Sequence, residues 1–524
     1  MPAWLSNLIP IVILLGVIAL VLARLPKVEL GHAPAFTKRR FWNWFPLGLT
    51  YAFLYFGRYN VNALTTALGK KTDIKAFAII FAAGTLVYGF SFIINGPLTD
   101  KLGGRRTILL SAAGAAIANL LMGAVVWGES LGWVPPGGLV LWLAVLYSAD
   151  MYFQSFGAVS IVKVNAAWFH VRERGVQGGV FGILISLGVY FGYDWSKAIS
   201  KGFPAAPWLI AVIPGLVLVG AFIAAFFLVR DKPSDTGHPD FEAGDSTAND
   251  KPIDVKEFPR SMVGVSIGLA ITLAGFGAWL TRLLVPDQWL WQLIAALVIV
   301  APAYLFGRWA VKTLVVQIFI RMLNNPVILL IVFIEFCTGF LRNGVMSWYP
   351  KFSEAVSWTD DFVSKNWGLL LCVFGIVGGM MAGVISDRIF HSRRGPVASV
   401  LYAGITVGAI AMYFSLSSVW VGWVLVFMAL NYVGVHGMLS GTASADFGGK
   451  KHTGVAVGII DGFVYLGTGL QSLIVGMLLP TGADAAIAAN WINWPRAMVP
   501  MALIGLALCV PLWNAKPQAS AAAH

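Results

Sequence analysis

Two arginines sit where the chain is otherwise apolar: Arg58 midway along a hydrophobic run near 42–66, and Arg342 midway along a run near 325–349. A charge at that depth in a long apolar segment is costly, and it faces a cavity or a partner. Two guanidinium groups from separate halves of a chain can converge on one dianion, because their planar forks match phosphate oxygens and stay charged at any working pH. Tyr51 and Tyr55 precede Arg58 by seven and three residues, which puts all three on one side of a helix. Phenol hydroxyls can bond substrate oxygens inside a cavity. The blander reading is that each arginine pairs with a buried acid and only holds helices together. Glu335 is one available acid, two turns before Arg342 on roughly the same face but too far for an ideal direct pair. Asn60 falls off the Arg58 face and reads as structural.

Further polar residues interrupt apolar runs: Asp150 near the middle of 138–162, His436 in 418–440 and Asp461 in 453–479. Acids buried near an anion site can bind a cationic group on a zwitterionic substrate, carry a proton, or balance the arginines. A lone histidine on an apolar helix is more often a hydrogen-bonded packing residue than a proton carrier. The chain has no P-loop, no zinc-ligand spacing and no nucleophile elbow, so the sequence points to no catalytic residue, metal or cofactor and away from an enzyme.

What must hold these residues is a membrane protein. With 58% hydrophobic and 11% charged residues among 524, the chain cannot cover itself with polar groups as a soluble domain must. Hydropathy gives about fifteen runs able to cross a hydrocarbon core. The first, Leu5 to Ala23, lacks a basic start and a small-residue cleavage site, and reads as a retained helix. Six follow near 42–66, 76–98, 107–128, 138–162, 174–196 and 207–229. A polar linker, Arg230 to Arg260, precedes two runs near 261–282 and 288–310, read as a hairpin. Six more lie near 325–349, 365–386, 397–417, 418–440, 453–479 and 497–514. The organisation expected is therefore an extra helix in 1–41, a six-helix lobe in 42–230, a linker with an extra hairpin in 231–324, a second six-helix lobe in 325–515 and a tail in 516–524.

The net charge of +12 does not gather on one face as nucleic-acid binding requires. With the 99–106 loop placed in the cytoplasm, roughly 24 Lys and Arg fall inside and roughly nine outside, Lys70, Lys71 and Lys75 being the exceptions. The N-terminus then lies outside and the C-terminus in the cytoplasm. Cys337, Cys372 and Cys509 all lie in apolar runs, so no disulfide framework is expected. An internal repeat supports two lobes. Gly96, Asp100 and Lys101 followed by Arg105 and Arg106 are matched by Gly383, Asp387 and Arg388 followed by Arg393 and Arg394, each at the cytoplasmic end of its lobe's second helix. These loops read as conformational gates.

The paired loops resemble the signature of the major facilitator superfamily over about 42–230 and 325–515. More narrowly, the chain resembles the organophosphate:phosphate antiporters. Tyr51 to Leu64 carries Tyr51, Tyr55, Arg58 and Asn60 at that family's spacing; Arg342, Gly344, Trp348 and Pro350 form its R-x-G-x-x-x-W-x-P pattern; and Lys450, Lys451, Gly454, Gly458, Tyr465 and Gly467 match its eleventh helix. Tyr152, Gln154, Trp168 and Glu173 add weaker support. The resemblance implies that Arg58 and Arg342 bind a phosphoryl group, that Tyr465 joins Tyr51 and Tyr55 around it, and that inorganic phosphate is the counter-substrate of a monomeric alternating-access exchanger. Phe92 stands where the glycerol-3-phosphate transporters carry a lysine, Ile185 where they carry a histidine, Ala158 a tryptophan and Gly339 a tyrosine, while Lys163 replaces an arginine. Those departures point away from glycerol-3-phosphate itself. Two other readings stand beside phosphate exchange. One is proton-coupled symport of a phosphorylated, phosphonate or zwitterionic compound, with Glu335, Asp150 or Asp461 as carrier. The other is a sugar-phosphate sensor that docks a partner.

Overall fold

The computed structural model describes residues 31–135, 138–170, 173–240, 326–390 and 393–514, with Val12, Gly16 and Ala19; a number of side chains within them, including those of Asp100, Asp387, Lys450 and Lys451, fall outside the description. Twelve long helices organise these residues: α1 Pro34–Ala67, α2 Ile74–Leu102, α3 Gly104–Ser130, α4 Gly138–Trp168, α5 Arg174–Tyr190 and α6 Leu209–Leu228, then α7 Pro326–Met346, α8 Trp367–Val384, α9 Arg394–Ser415, α10 Val421–His436, α11 Ala443–Leu478 and α12 Asn493–Cys509. No strand occurs among the described residues. Among the described residues, ten spans are long and apolar enough to cross a bilayer. The other two helices are α1, diluted by polar residues such as Arg58, Asn60 and Asn62, and α5, only 17 residues before its last turn widens at Phe191–Trp195. The helix expected in 1–41 and the hairpin expected in 231–324 lie outside the described residues, apart from 31–41, 231–240 and the three isolated positions. The described parts of 1–245 and 330–524 form one compact unit; of the second unit, 246–329, only the first turn of α7 is described.

Local chemistry sets the ends and breaks. Asp73 caps α2, its Oδ1 accepting from Ala76 N at 2.8 Å. After Met346 the seventh helix breaks and resumes as Trp348–Ala355. Pro350 explains the break: it offers no N–H to the Met346 carbonyl, and the Trp367 indole donates to that oxygen instead at 3.2 Å. The same motif ties α7 to its neighbours. Trp348 Nε1 donates to Gln471 Oε1 on α11 at 3.0 Å, and Trp494 Nε1 on α12 donates to Gly344 O at 2.9 Å. Lys71, one of the charge exceptions, meets Glu129 at 2.7 Å at the same end of the molecule, so its charge is locally compensated.

The first six helices pack among themselves, as do α8, α9, α10 and α12; the two sets meet where α2 packs on α11 and α5 on α8. The α2–α11 seam depends on glycine. A Cβ at Gly458 would fall 2.6 Å from Phe92 O, and one at Gly462 would fall 2.9 Å from Gly89 O. The α5–α8 seam is apolar, with Ile183 against Leu369, Cys372 and Ile376. At the end opposite the 99–106 loop the sets are also bonded. Lys351 Nζ donates to Thr66 Oγ1 at 2.7 Å, Thr65 Oγ1 at 2.8 Å and Asn62 O at 3.2 Å, all on α1. Asp194 accepts from Gly368 N and Leu369 N, each at 2.9 Å, and so caps α8 from the other set. All three cysteines are free and buried.

Candidate functional site

Arg58 is 1% exposed, and each edge of its guanidinium is engaged: Nε donates to Gln154 Oε1 at 2.9 Å, Nη1 to the Tyr465 hydroxyl at 2.7 Å and Nη2 to the Tyr88 hydroxyl at 2.7 Å. The guanidinium carbon also lies 4.4 Å from the Tyr55 ring centroid and 4.5 Å from that of Tyr88. Arg342, 8% exposed, sits over the ring of the same Tyr465 at 4.9 Å. One tyrosine from α11 thus touches an arginine from each half of the chain. Tyr51 packs edge-on against Tyr55 with ring centroids 5.3 Å apart. Among the described residues neither arginine makes an ion pair. Phe92 stacks on Tyr465 at 6.0 Å and meets Tyr88 edge-on at 4.6 Å, so an apolar ring packs against the two tyrosines that hold Arg58.

Behind Arg58 runs a buried polar chain. Gln154 Nε2 donates to Asp150 Oδ2 at 2.8 Å and Asn119 Nδ2 to Asp150 Oδ1 at 3.2 Å. Asn60 Nδ2 donates in turn to Asn119 Oδ1 at 2.8 Å and to Ile210 O at 3.1 Å. Asp150 therefore reaches Arg58 through one intervening amide. That amide is fixed in direction, its oxygen toward the cation and its nitrogen toward the anion. Asn60 takes the structural place read from its position.

On the other side Glu335 turns from Arg342 to His436, whose Nδ1 lies 2.9 Å from its Oε2. Glu335 is 0% exposed and its Oε1 has no hydrogen-bond partner among the described residues, while the His436 side chain is 28% exposed. Asp461, one turn before Tyr465 on α11, accepts from Ser440 at Oδ1 and lies within electrostatic reach of Arg342, His436, Glu335, Tyr88 and Tyr465. Lys163 is half-buried and nine residues past Gln154, about 13 Å along the axis of α4.

Of the repeated loops, Arg105 works within the first half. Its Nε donates to Val229 O at 2.9 Å, its Nη2 to Phe226 O at 2.8 Å, and its backbone N to Asp231 Oδ1 at 2.8 Å. Those acceptors lie at or just past the end of α6, where a cation is favoured. Arg106 and Arg388 are exposed, Arg393 is half-buried, Gly96 is buried and Gly383 is exposed; the Asp100 and Asp387 side chains lie outside the description. Sequence reasoning missed Tyr88. A tyrosine in an apolar run carries no signal of its own, although its place one turn before Phe92 was available.

The family model described as Major Facilitator Superfamily matches residues 47–472. A glycerol-3-phosphate transporter of Bacillus subtilis is 22% identical over 85% of this chain and 85% of its own length. The membrane sensor protein UhpC of Salmonella typhimurium is 23% identical over 84% of this chain and 86% of its own. A probable hexose phosphate transport protein of Chlamydia pneumoniae is 22% identical over 91% and 92%. Among solved structures, a bacterial homologue of the human drug peptide transporters PepT1 and PepT2 superposes with a TM-score of 0.53 at 15% identity, covering 90% of this chain and 97% of its own; that likeness concerns the fold.

Proposed function

This chain belongs to the Major Facilitator Superfamily, and from that premise we propose that it carries a small organic phosphate across the inner membrane by alternating access, in exchange for inorganic phosphate. The observation that carries the reading is the pair of buried guanidinium groups from α1 and α7, both in contact with Tyr465 and neither in an ion pair among the described residues. A phosphate held by both would draw the halves together, which couples occupancy to rocking. The 99–106 loop is cytoplasmic on this reading, and Lys351 and Asp194 close the opposite, external face. The transport names of the Bacillus and Chlamydia relatives support a phosphorylated substrate.

The test is binding and counterflow with purified, reconstituted protein. Arg58→Lys or Arg342→Lys should lower phosphate affinity about ten- to hundredfold, since a point ammonium cannot form the bidentate contact. Wild-type affinity in both variants would refute the site. Uptake that ignores phosphate loaded inside vesicles would refute exchange and leave proton symport, the reading that the Glu335–His436 pair favours. Binding without flux would favour a sensor, the description carried by the Salmonella relative.

A further inference from the structure

We infer that the substrate is zwitterionic: a phosphate ester or phosphonate bearing an alkylammonium group, with the phosphate at Arg58 and Arg342 and the ammonium at Asp461. This rests on the phosphate reading above and narrows it to a class.

Arg342 and Asp461 belong to adjoining helices and act on one another electrostatically, yet they form no ion pair among the described residues. Two opposite charges held near each other but not joined suit a ligand that carries both signs. Asp461 is placed to receive the cation. It is four residues before Tyr465, hence on the same helix face and about 6 Å along the axis, and the Tyr465 hydroxyl accepts from Arg58 at 2.7 Å. Two or three carbons between phosphorus and nitrogen span that step. Asp461 is half-buried, and its Oδ2 takes no hydrogen bond among the described residues, Oδ1 alone being bonded, to Ser440.

A second observation points the same way. Glu335 is shut from solvent, yet its Oε1 lacks a donor among the described residues. A carboxylate buried one donor short is costly; an ammonium arriving beside Asp461 lessens that cost by lending positive charge to the pocket. The neighbouring rings agree with an alkylammonium too. Phe92 and Tyr465 stack at 6.0 Å beside Asp461, and ring faces attract such cations.

The experiment compares 2-aminoethyl phosphate with ethyl phosphate on the purified full chain, by ligand-dependent thermal stabilisation and by competition with inorganic phosphate. Wild type should bind the aminoethyl compound at least about tenfold more tightly. Asp461→Asn should erase that preference while keeping ethyl phosphate binding, and Asp461→Glu should retain part of it. Should Asp461→Asn fail to fold, the wild-type comparison and Asp461→Glu still decide. Equal binding of the two compounds, or preference for ethyl phosphate, in the wild type overturns the inference while the phosphate reading survives. Failure of both compounds and of inorganic phosphate overturns that reading, and this inference with it.

Discussion

Gln154 holds two obligations at once. Its oxygen accepts from Arg58 at 2.9 Å and its nitrogen donates to Asp150 at 2.8 Å, all three side chains being buried. Removing the amide leaves a guanidinium edge and a carboxylate oxygen unpaired together, each costing about 1–3 kcal/mol. Gln154→Leu is therefore expected to lower thermal stability and weaken phosphate binding. Adding Asp150→Asn should recover part of the stability, because a neutral amide tolerates a missing donor better than a buried charge. Thermal melts of the two single variants and the double variant check this; a double variant less stable than Gln154→Leu would break the relay. Depth in an apolar run made Arg58 and Arg342 readable from the chain. The partner of Glu335 was not readable, because His436 is 101 residues away and only the packing of α7 on α10 joins them.

At the scale of helices, glycine does two separate jobs, and substitution can tell them apart. A Cβ at Gly339 on α7 would fall 1.8 Å from Val464 O on α11, within one half of the molecule. That close approach is a physical reason for glycine where the resembled transporters carry tyrosine. Gly339→Ala must push two helices of one bundle apart, and is expected to lower stability by about 1–3 kcal/mol, read as a fall in melting temperature. A Cβ at Gly89 on α2 would fall 2.8 Å from Gly462 O on α11, across the seam between the halves. Gly89→Ala should spare each bundle and instead disfavour the conformation in which they meet. Expression near wild type with slowed counterflow is the expected outcome, and wild-type flux would count against a moving seam. Ten of the helices were legible because each run is long, apolar and punctuated, whereas α1 is diluted by polar residues and α5 is short. The break after Met346 follows from Pro350, yet the acceptor freed there and claimed by Trp367 depends on a residue in the next helix.

For the molecule as a whole, the contacts opposite the 99–106 loop join the two halves through few groups. Lys351 places a buried ammonium on three oxygens of α1, and Asp194 caps α8 from across the seam. Lys351→Ala and Asp194→Asn are expected to favour separation at that end. Distances between spin labels at Gly69 and Ser357 should broaden and lengthen in both variants; an unchanged distribution would mean that apolar packing alone closes this face. The proposal of two lobes was legible from the repeated loops, since the step from Gly96 to Asp100 recurs from Gly383 to Asp387. Their bonding was not, because Lys351 in a short connecting helix looks like any charged loop residue until its acceptors on α1 are seen.

Cys372 lies in the apolar seam with Ile183, while Cys337 and Cys509 are buried within the second set of helices. The protein thus carries a native reporter of its own motion. A maleimide should spare all three thiols at rest and modify Cys372 alone when α5 and α8 part, so the rate of that alkylation, with and without cargo, times the opening in a chain that needs no engineered label.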